Sequence, residues 1–399
     1  MYITIKDINR TNEGLEPSTT NLVDALFSTD NLDDVSITDI NTVFRTRLLR
    51  TKTYLTDNPI AELPTNYYDV VSWMVNLMNT IPNPQEHYYT FNIPKKTGGH
   101  RTINAPDEEL SNVMKQMAKA FTAPWDLDIQ MHDSAWAYVP GRSVVTAMKE
   151  HTNNESKWYL KLDLKDFFGS CTKQIIINTL SNLFPFAEAI KREDNTMRPN
   201  PANYTKNFLI QLADFVTLNE GLPQGTPISP VLTNMIMVGY DWNINKVIRE
   251  ASESEDIYKQ KYVYTRYADD IIISAKHNFD ANKLKNLISE TLDPFIIKEE
   301  KTRFSTNAGR NWNLGIMCNK DNNMTVGYRR KHTIKVTVHN YINNRVEWGL
   351  SDLRYLLGEL NWVNQVEPDY FNHLMQYFND KYNMNIWNEI IKDIKHLTN

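Results

Sequence analysis

Apolar residues at every second position mark several short stretches of this chain, and such alternation predicts β-strands. In the first stretch Tyr89, Phe91 and Ile93 fall on one face. The chain then passes through a basic segment with two glycines, residues 95–99, and returns through residues 101–104. The pattern predicts a β-hairpin with lysines at its tip. Exposed lysines are also common solubility devices, so the hairpin alone leaves its role open.

Two later alternating stretches bring acids to strand ends. Residues 157–168 run as a mostly apolar strand through Asp163, and residues 264–274 form a second predicted hairpin with Asp269 and Asp270 at its turn. Two aspartates in a turn are usually ordinary turn residues. If these strands are neighbours in one sheet, the three carboxylates meet, and such hard oxygen ligands suit Mg²⁺ or Mn²⁺.

Helical spacing recurs between and after these strands. A loop with two glycines and three prolines, residues 221–230, leads into one helical segment, with Ser229 or a neighbour as its cap. The apolar positions at helical spacing are Leu22, Leu26, Val43, Leu48, Phe208, Leu212, Phe215, Ile228, Leu232, Met235, Trp242, Leu284, Leu287, Ile288, Leu353, Leu356, Leu357, Leu360, Trp387, Ile390, Ile391 and Ile394. Hairpins together with separate helices predict an α+β fold.

Composition narrows the class of protein. The chain has 399 residues, 41% of them hydrophobic, which is enough for two to three globular domains. Its two cysteines, Cys171 and Cys318, argue against a disulfide framework or a zinc module. No stretch reaches the ~18 uninterrupted apolar residues of a membrane span, and the start lacks the pattern of a signal sequence. We therefore expect a soluble, cytoplasmic protein with no membrane partner.

The charge is unevenly distributed along the chain. A net charge of −5 does not by itself favour binding to nucleic acid. Residues 298–345, however, contain ten Lys or Arg against three acids, a balance of +7, whereas residues 346–399 contain four bases against eight acids, a balance of −4. Arg329, Arg330 and Lys331 follow an aromatic residue in the basic stretch, and we expect this cluster to contact a phosphate backbone.

Three motifs, in this order, resemble the palm of reverse transcriptases. They are Leu162-Asp-Leu-Lys-Asp-Phe-Phe168, Gly221-Leu-Pro-Gln-Gly-Thr-Pro-Ile-Ser-Pro230 and Tyr267-Ala-Asp-Asp270. Within that family the chain resembles the bacterial branch of retron, group II intron and phage-defence enzymes. The segments that carry this narrower resemblance are Ile93-Pro-Lys-Lys-Thr-Gly-Gly-His-Arg101, Gly141-Arg-Ser143 and Glu300-Lys-Thr-Arg303.

The resemblance implies a fold and a division into domains. The family's right-hand polymerase has fingers, a palm of antiparallel sheet plus helices, and a helical thumb, here preceded by an N-terminal helical extension. The implied boundaries are residues 1–84 for the extension, 85–300 for the fingers and palm, and 301–399 for the palm end and thumb.

The resemblance also implies a site. Asp163, Asp269 and Asp270 would be catalytic and, with the backbone carbonyl of Leu164, would hold two Mg²⁺ ions, or Mn²⁺ in their place. The residues implied to contact the incoming nucleotide are Lys95, Lys96, Arg101, Asp166, Phe167, Phe168 and Gln224. Those implied to contact nucleic acid are Arg142, Arg329, Arg330 and Lys331, and Lys301 is implied as a general acid.

Some of these roles have ordinary alternatives. Asp166 can be a surface acid at a strand end, and Lys301 a plain helix-end lysine. Phe168 resembles the family's steric gate, the ring that excludes a 2′-hydroxyl and so selects deoxynucleotides. The alternative makes Phe167 and Phe168 two core aromatics, which we expect a strand to prevent because adjacent strand residues point to opposite faces.

By the same resemblance the protein is an RNA-directed DNA polymerase that adds deoxynucleotides by two-metal phosphoryl transfer. Its partners would be an RNA template, a DNA or RNA primer, a noncoding RNA, and a partner defence protein or a second copy of the chain. We expect a role in bacterial antiphage defence. Leu314-Gly-Ile-Met317 departs from the usual retron signal, and residues 346–399 have no RNase H or nuclease-finger pattern.

Other functions stay open at this stage. One is a retron-type enzyme that makes RNA-linked DNA, and another is untemplated or protein-primed DNA synthesis. A third, from a different class, is a non-catalytic RNA-binding scaffold. A scaffold needs none of the three aspartates, so their presence counts against it.

Overall fold

The computed structural model describes residues 67–95, 98–122, 131–195, 204–254, 261–309 and 311–398. The helical spacing predicted at Leu22, Leu26, Val43 and Leu48 lies outside the described residues. In the described ranges, no helix is both long and apolar enough to cross a membrane.

The chain divides into two compact units, each assembled from separate segments. The hairpin unit comprises Met1–Pro140, Leu164–Ile248 and Asn286–Lys298. The sheet unit comprises Gly141–Asp163, Arg249–Lys285 and Glu299–Asn399. The domain boundaries implied after residues 84 and 300 remain a prediction.

Helices and strands are interspersed along the chain. The helices are α1 (Tyr67–Asn79), α2 (Glu108–Thr122), α3 (Val144–Asn153), α4 (Phe167–Ser170), α5 (Lys173–Leu180), α6 (Phe186–Asn195), α7 (Tyr204–Val216), α8 (Ser229–Ser254), α9 (Ala281–Thr291), α10 (Tyr328–Asn343), α11 (Leu350–Val366), α12 (Pro368–Tyr382) and α13 (Ile386–Thr398). The strands are β1 (Tyr88–Pro94), β2 (His100–Pro106), β3 (Trp158–Asp163), β4 (Tyr262–Tyr267), β5 (Asp270–Ala275), β6 (Arg303–Thr306), β7 (Met317–Cys318) and β8 (Met324–Thr325). Antiparallel strands with separate helices confirm the α+β prediction.

The first predicted hairpin is formed by β1 and β2, which pair antiparallel along their whole length. At its tip the Lys95 amide donates to the Gly99 carbonyl at 2.9 Å. The apolar face of β1 is exposed, since Tyr89, Phe91 and Ile93 all lie at the surface. The hairpin is therefore held by its backbone ladder and tip rather than by burial of that face.

The sheet unit contains a four-stranded antiparallel sheet in the order β4-β5-β3-β6. In β5 the sequence Asp-Ile-Ile-Ile-Ser-Ala is buried after its first residue. β-Branched side chains such as these isoleucines favour a pleated, buried strand. Strands β3 and β5 lie at the centre of the sheet, so the aspartates at their ends are held by the most rigid part of it.

A hydrophobic core fixes these central strands. Tyr159 of β3 and Ile272 of β5 pack in one buried cluster with side chains of α3 and of α10 to α13. The helical members include Val145, Met148, Ile334, Val338, Tyr341, Leu353, Leu356, Leu360, Val363, Leu374, Phe378, Ile386 and Ile390. Burying a large aliphatic side chain contributes about 1.5–3 kcal/mol.

The helices predicted from spacing are present as α7, α8, α9, α11 and α13. Helix α12 had no predicted counterpart, although Phe371, Leu374, Met375 and Phe378 carry helical spacing that would have indicated it.

The strand predicted through residues 157–168 ends earlier than expected. It stops at Asp163, and Phe167 and Phe168 lie in the short helix α4. Asp166 has a φ of 43°, which takes the chain out of the extended conformation. The two rings are therefore not related by strand alternation, so the reason given for their different surroundings is wrong, although only Phe167 is buried.

Candidate active site

Three aspartates lie at one end of the central strands of the sheet. Asp163, the last residue of β3, is paired in register with Asp270, the first residue of β5. Asp269 directly precedes Asp270 in the turn after β4. This register confirms that neighbouring strands bring the three residues together.

The turn between β4 and β5 is short and supported by a buried arginine. Tyr267 pairs with Asp270, so Ala268 and Asp269 form a two-residue connection. Ala268 has a φ of 57°, a left-handed conformation that such turns require and that costs a non-glycine residue about 1–2 kcal/mol. The fully buried Arg266 donates from Nη1 to the Ala268 carbonyl at 3.3 Å. No sequence pattern indicated this role, because arginine is rarely buried.

Lys301 binds the carboxylate of Asp163. Its Nζ donates to Oδ1 at 2.9 Å and to Oδ2 at 2.7 Å. The Asp163 side chain is 8% exposed, whereas that of Lys301 is 50% exposed. Burial acts to lower the pKa of Lys301, but the bond to Asp163 and the charges of all three aspartates outweigh it and raise this pKa. Lys301 is thus a charged partner of the acidic cluster.

The pKa of Asp269 reflects the repulsion among the three carboxylates. Burial raises the pKa of the Asp269 carboxyl, and the negative charges of Asp270 and Asp163 raise it further. Lys301 acts in the opposite direction without cancelling the rise. Like charges held this close favour the approach of a cation.

Asp270 has a lysine beside one of its oxygens. Lys161 Nζ lies 2.8 Å from Asp270 Oδ1. That oxygen is buried, and no donor in the part of the chain that the structure describes is directed at it as a hydrogen bond. The contact is therefore an ion pair without hydrogen-bond geometry. Sequence reasoning missed Lys161, although it directly precedes the first motif.

The donor set fits a divalent cation. Two ammonium groups face three carboxylates, so negative charge remains in excess, and carboxylate oxygens are the ligands that Mg²⁺ and Mn²⁺ prefer. As arranged, the described residues contain no group of three or more His, Cys, Asp or Glu side chains that could hold a metal ion. Lys301 bonds to both oxygens of Asp163, and a cation at this carboxylate has to displace it.

A buried histidine of α3 contacts β4 and β5 farther from the aspartates. His151 Nδ1 is 2.6 Å from Ser274 Oγ, and its Nε2 is 2.8 Å from Thr265 Oγ1. Ser274 in turn donates to Ser156 Oγ at 2.8 Å. Burial lowers the pKa of His151 to about 3, so the ring is neutral. This hydrogen-bonded group joins α3 to β4 and β5, and no feature of the sequence indicated it.

The residues predicted to contact a nucleotide lie in the hairpin unit, where the structure describes them. Lys95 and Arg101 are exposed near the tip of the hairpin, and Lys96 lies outside the described residues. Gln224 is half-buried, and its backbone carbonyl accepts a hydrogen bond from the backbone amide of Asn104 at 2.9 Å. The proline-rich loop is therefore attached to β2 of the hairpin.

The segment after β3 packs closely on the proline-rich loop. The Leu222 amide donates to the Phe168 carbonyl at 3.1 Å. A Cβ at Gly221 would lie 2.2 Å from the carbonyl oxygen of Gly169, so only glycine fits there. A Cβ at Gly169 would lie 2.3 Å from a carboxylate oxygen of the exposed Asp166. The two motifs thus form one compact structure.

Phe167 and Phe168 differ in accessibility. Phe167 is 2% exposed and packs against Phe295, so its ring belongs to the core and not to a nucleotide contact, which corrects that expectation. Phe168 is half-buried and meets Phe167 edge-on. Leu164 is buried and bridges to Ile297.

The predicted phosphate-binding cluster at the start of α10 is partly neutralised within the sheet unit. Arg330 binds Glu359 through two hydrogen bonds of 2.8 and 2.6 Å. Lys331 donates to Glu367 at 2.6 Å. Arg329 is exposed. Two of these cations therefore have acidic partners on and after α11, and the contact of the cluster with a phosphate backbone stays a prediction.

Arg142 lies half-buried just before α3. The following residue, Ser143, caps that helix, and its hydroxyl accepts from the Thr146 amide at 3.1 Å. The capped helix start fixes the backbone at Arg142.

Residues 93–341, more than half of the chain, match the family model described as reverse transcriptase (RNA-dependent DNA polymerase). The chain belongs to the reverse transcriptase family. This membership confirms the resemblance seen in the three motifs and makes the protein an RNA-directed DNA polymerase.

Related proteins include two retron enzymes of Escherichia coli. Retron Ec83 reverse transcriptase is 24% identical over 301 residues, covering 73% of this chain and 86% of that protein. Retron Ec73 reverse transcriptase is 25% identical over 327 residues, covering 77% and 92%. Among solved structures, apo telomerase from Candida tropicalis aligns with a TM-score of 0.40 and 12% identity over 78% of this chain and 62% of that one, too distant to add to the assignment.

Proposed function

We propose that Asp163, Asp269 and Asp270 hold two Mg²⁺ ions, with Mn²⁺ as a substitute, and that the enzyme thereby extends a primer along an RNA template. The observation that carries this proposal is the pairing of Asp163 with Asp270 beside Asp269, whose pKa is raised. Bound divalent ions supply positive charge for the attacking primer hydroxyl and the leaving pyrophosphate.

The protein's own groups prepare and complete this step. The sheet fixes the carboxylates, so little reorganisation is needed as charge develops. Lys301 keeps its proton because its pKa is raised, and we assign its Nζ as the proton donor to pyrophosphate. The backbone carbonyl of Leu164 follows Asp163 directly in the chain and is assigned as a further metal ligand.

The incoming deoxynucleotide is assigned to residues of the hairpin unit. Arg101, with its planar fork, and Lys95 bind the triphosphate. Gln224 lies over the nucleotide, and Phe168 excludes a 2′-hydroxyl. The half-buried state of the Phe168 ring and the exposure of the two cations support these roles. Phe168→Ala is expected to admit ribonucleotides, and unchanged sugar discrimination would remove the gate role.

The decisive test compares Asp269→Asn and Asp270→Asn with wild type in primer extension with Mg²⁺. Both variants are expected to lose at least about a thousandfold in deoxynucleotide incorporation, or about 4 kcal/mol of barrier. Asp321→Asn, an exposed acid between β7 and β8, is the matched control and should retain activity. Copurifying RNA should be retained by all four proteins. Equal synthesis by wild type and both site variants would refute the assignment.

In the cell we propose that the enzyme copies an associated noncoding RNA in cytoplasmic antiphage defence. Arg142 and Arg329 are assigned to nucleic-acid binding, since Arg329 is exposed in the basic stretch. The test is to sequence both the RNA that copurifies from the host and the DNA made from it. DNA unrelated to that RNA would instead indicate untemplated or protein-primed synthesis.

A retron-type reaction that joins the DNA product to RNA is the second candidate. It is favoured by the names of the two E. coli relatives, both retron reverse transcriptases. Treating the product with RNase and measuring the change in its size separates the candidates, because only an RNA-linked DNA becomes shorter.

A further inference from the structure

Strand register places Lys161 next to the acidic cluster. Lys161 lies directly opposite Ile272, two residues after Asp270 on β5. It is therefore the diagonal neighbour of Asp270 on the same face as Asp163, a separation that a long side chain spans. Its backbone is paired on both sides, with β5 and with β6. The lysine thus starts from a fixed position in the centre of the sheet.

The two lysines of the site differ in how they hold their acids. Lys161 is 21% exposed and lies 2.8 Å from a single oxygen of Asp270. Lys301 is 50% exposed, is the last residue of a short 3₁₀ turn, and bonds to both oxygens of Asp163. Lys301 can leave toward solvent, whereas the stem of Lys161 lies beside buried Ile272. Lys161 is the less exposed partner of the two.

We propose that Lys161 is a positioning residue that fixes the Asp270 carboxylate through Oδ1 and leaves Oδ2 for a divalent ion. This inference rests on the proposed function, because it concerns how the acidic cluster receives its metal. Oδ1 is buried, so an ion arriving from solvent does not reach it. Lys161 also supplies a fixed positive charge that reduces repulsion among the three carboxylates. Partners that orient a metal ligand typically change metal affinity or activity by about 10–100-fold when removed.

The test measures Mn²⁺ binding to the full chain without nucleotide, by electron paramagnetic resonance of free Mn²⁺. Lys161→Met keeps the stem and removes the charge, and it should bind Mn²⁺ about tenfold more weakly than wild type. Lys161→Arg restores a cation and should recover to within about threefold. Lys276→Met is the matched control, since it breaks an exposed lysine–carboxylate pair with Glu155 beyond the end of β5, and it should equal wild type.

Primer extension gives the second readout. Lys161→Met should lower kcat with little change in KM for the deoxynucleotide, because Lys161 is assigned to the metal ligand and not to the nucleotide. Thermal unfolding in EDTA checks that the variant is folded. Should Lys161→Met not fold, Lys161→Gln, which keeps a hydrogen-bond donor without charge, replaces it with the same expectation.

The outcomes separate this inference from the function on which it rests. If wild type binds Mn²⁺ and Asp269→Asn does not, the metal site stands. If Lys161→Met then binds Mn²⁺ as tightly as wild type, or more tightly, the positioning role alone is overturned, since a lysine that merely competes with the ion has that effect. If wild type binds no Mn²⁺, the metal site and the positioning role fall together.

Discussion

Asp163, Asp269 and Asp270 bring like charges together at one end of the central strands. Farther from that end, His151 of α3 and Ser274 of β5 belong to a group of side chains joined by neutral hydrogen bonds. Both groups are polar and largely buried within the sheet unit. The side chains of the neutral group satisfy one another's hydrogen bonds, since each ring nitrogen of the histidine meets a hydroxyl. The acidic group does not, because two lysines face three carboxylates.

The difference shows which buried polar groups serve stability and which serve chemistry. A buried polar group that is fully hydrogen-bonded fixes one arrangement of the surrounding core. A cluster with excess charge costs stability and gains it back only when a cation binds. We therefore expect substitutions in the neutral group to change the free energy of unfolding and substitutions in the acidic group to change activity.

The largest contrast is expected between Asp163→Asn and Ser274→Ala. Asp163→Asn should lower primer extension at least about a thousandfold, or about 4 kcal/mol, while changing the free energy of unfolding by no more than about 1 kcal/mol. Ser274→Ala should keep activity within about threefold and destabilise the fold by about 1–2 kcal/mol, because His151 loses a hydrogen-bond partner. Urea unfolding in EDTA and primer extension measure the two effects. A loss of activity in Ser274→Ala equal to that in Asp163→Asn would erase the distinction.

Truncation of the histidine tests the neutral group directly. His151→Ala should destabilise the fold by about 3 kcal/mol, since it opens a cavity and removes a hydrogen-bond partner from each of two buried hydroxyls. His373→Ala, an exposed histidine on α12, is the matched control and should change stability by less than about 0.5 kcal/mol. Equal midpoints of urea unfolding for the two variants would show that His151 does not stabilise the sheet.

Acidification tests the contribution of the neutral histidine to stability in the unsubstituted protein. The pKa of His151 is about 3 when folded, below its unfolded value of about 6.5, so the unfolded state binds the proton more tightly. The stability from the neutral ring is present above the unfolded pKa and is lost as pH falls toward the folded pKa. Between pH 7 and 5 this loss is about 2 kcal/mol. The comparison is wild type against His151→Gln in EDTA, and identical losses in both would exclude the histidine as the cause.

Much of the acidic group was predictable because it depends on local patterns. Alternation indicated β3, the hairpin of β4 and β5, and the aspartates at their ends, and the register of the sheet then brought these together. The end of β3 was not predictable in this way, because the left-handed conformation of Asp166, which aspartate tolerates, leaves no mark on the apolar alternation.

The neutral group and the lysine partners depend on contacts that no local pattern carries. His151 and Ser274 are 123 positions apart, and Lys301 and Asp163 are 138 apart. The same limit affected the basic cluster, where the partner of Arg330 within the chain, Glu359, lies 29 positions later. Residue types indicate the charge of a segment and the period of its apolar positions, whereas the partner of each charge is decided by the tertiary fold.

The smallest effect is expected at an exposed ion pair. This pair tests whether a polar contact stabilises the fold when it is not buried. Lys276 and Glu155 form an ion pair in which both side chains are more than half exposed, just after β5. Exposed pairs contribute at most about 1 kcal/mol, because solvent and salt screen them. Lys276→Met should therefore leave the free energy of unfolding nearly unchanged, and added salt should reduce any change further. A loss as large as that of His151→Ala, measured in the same urea series, would mean that polar contacts stabilise this sheet whether or not they are buried.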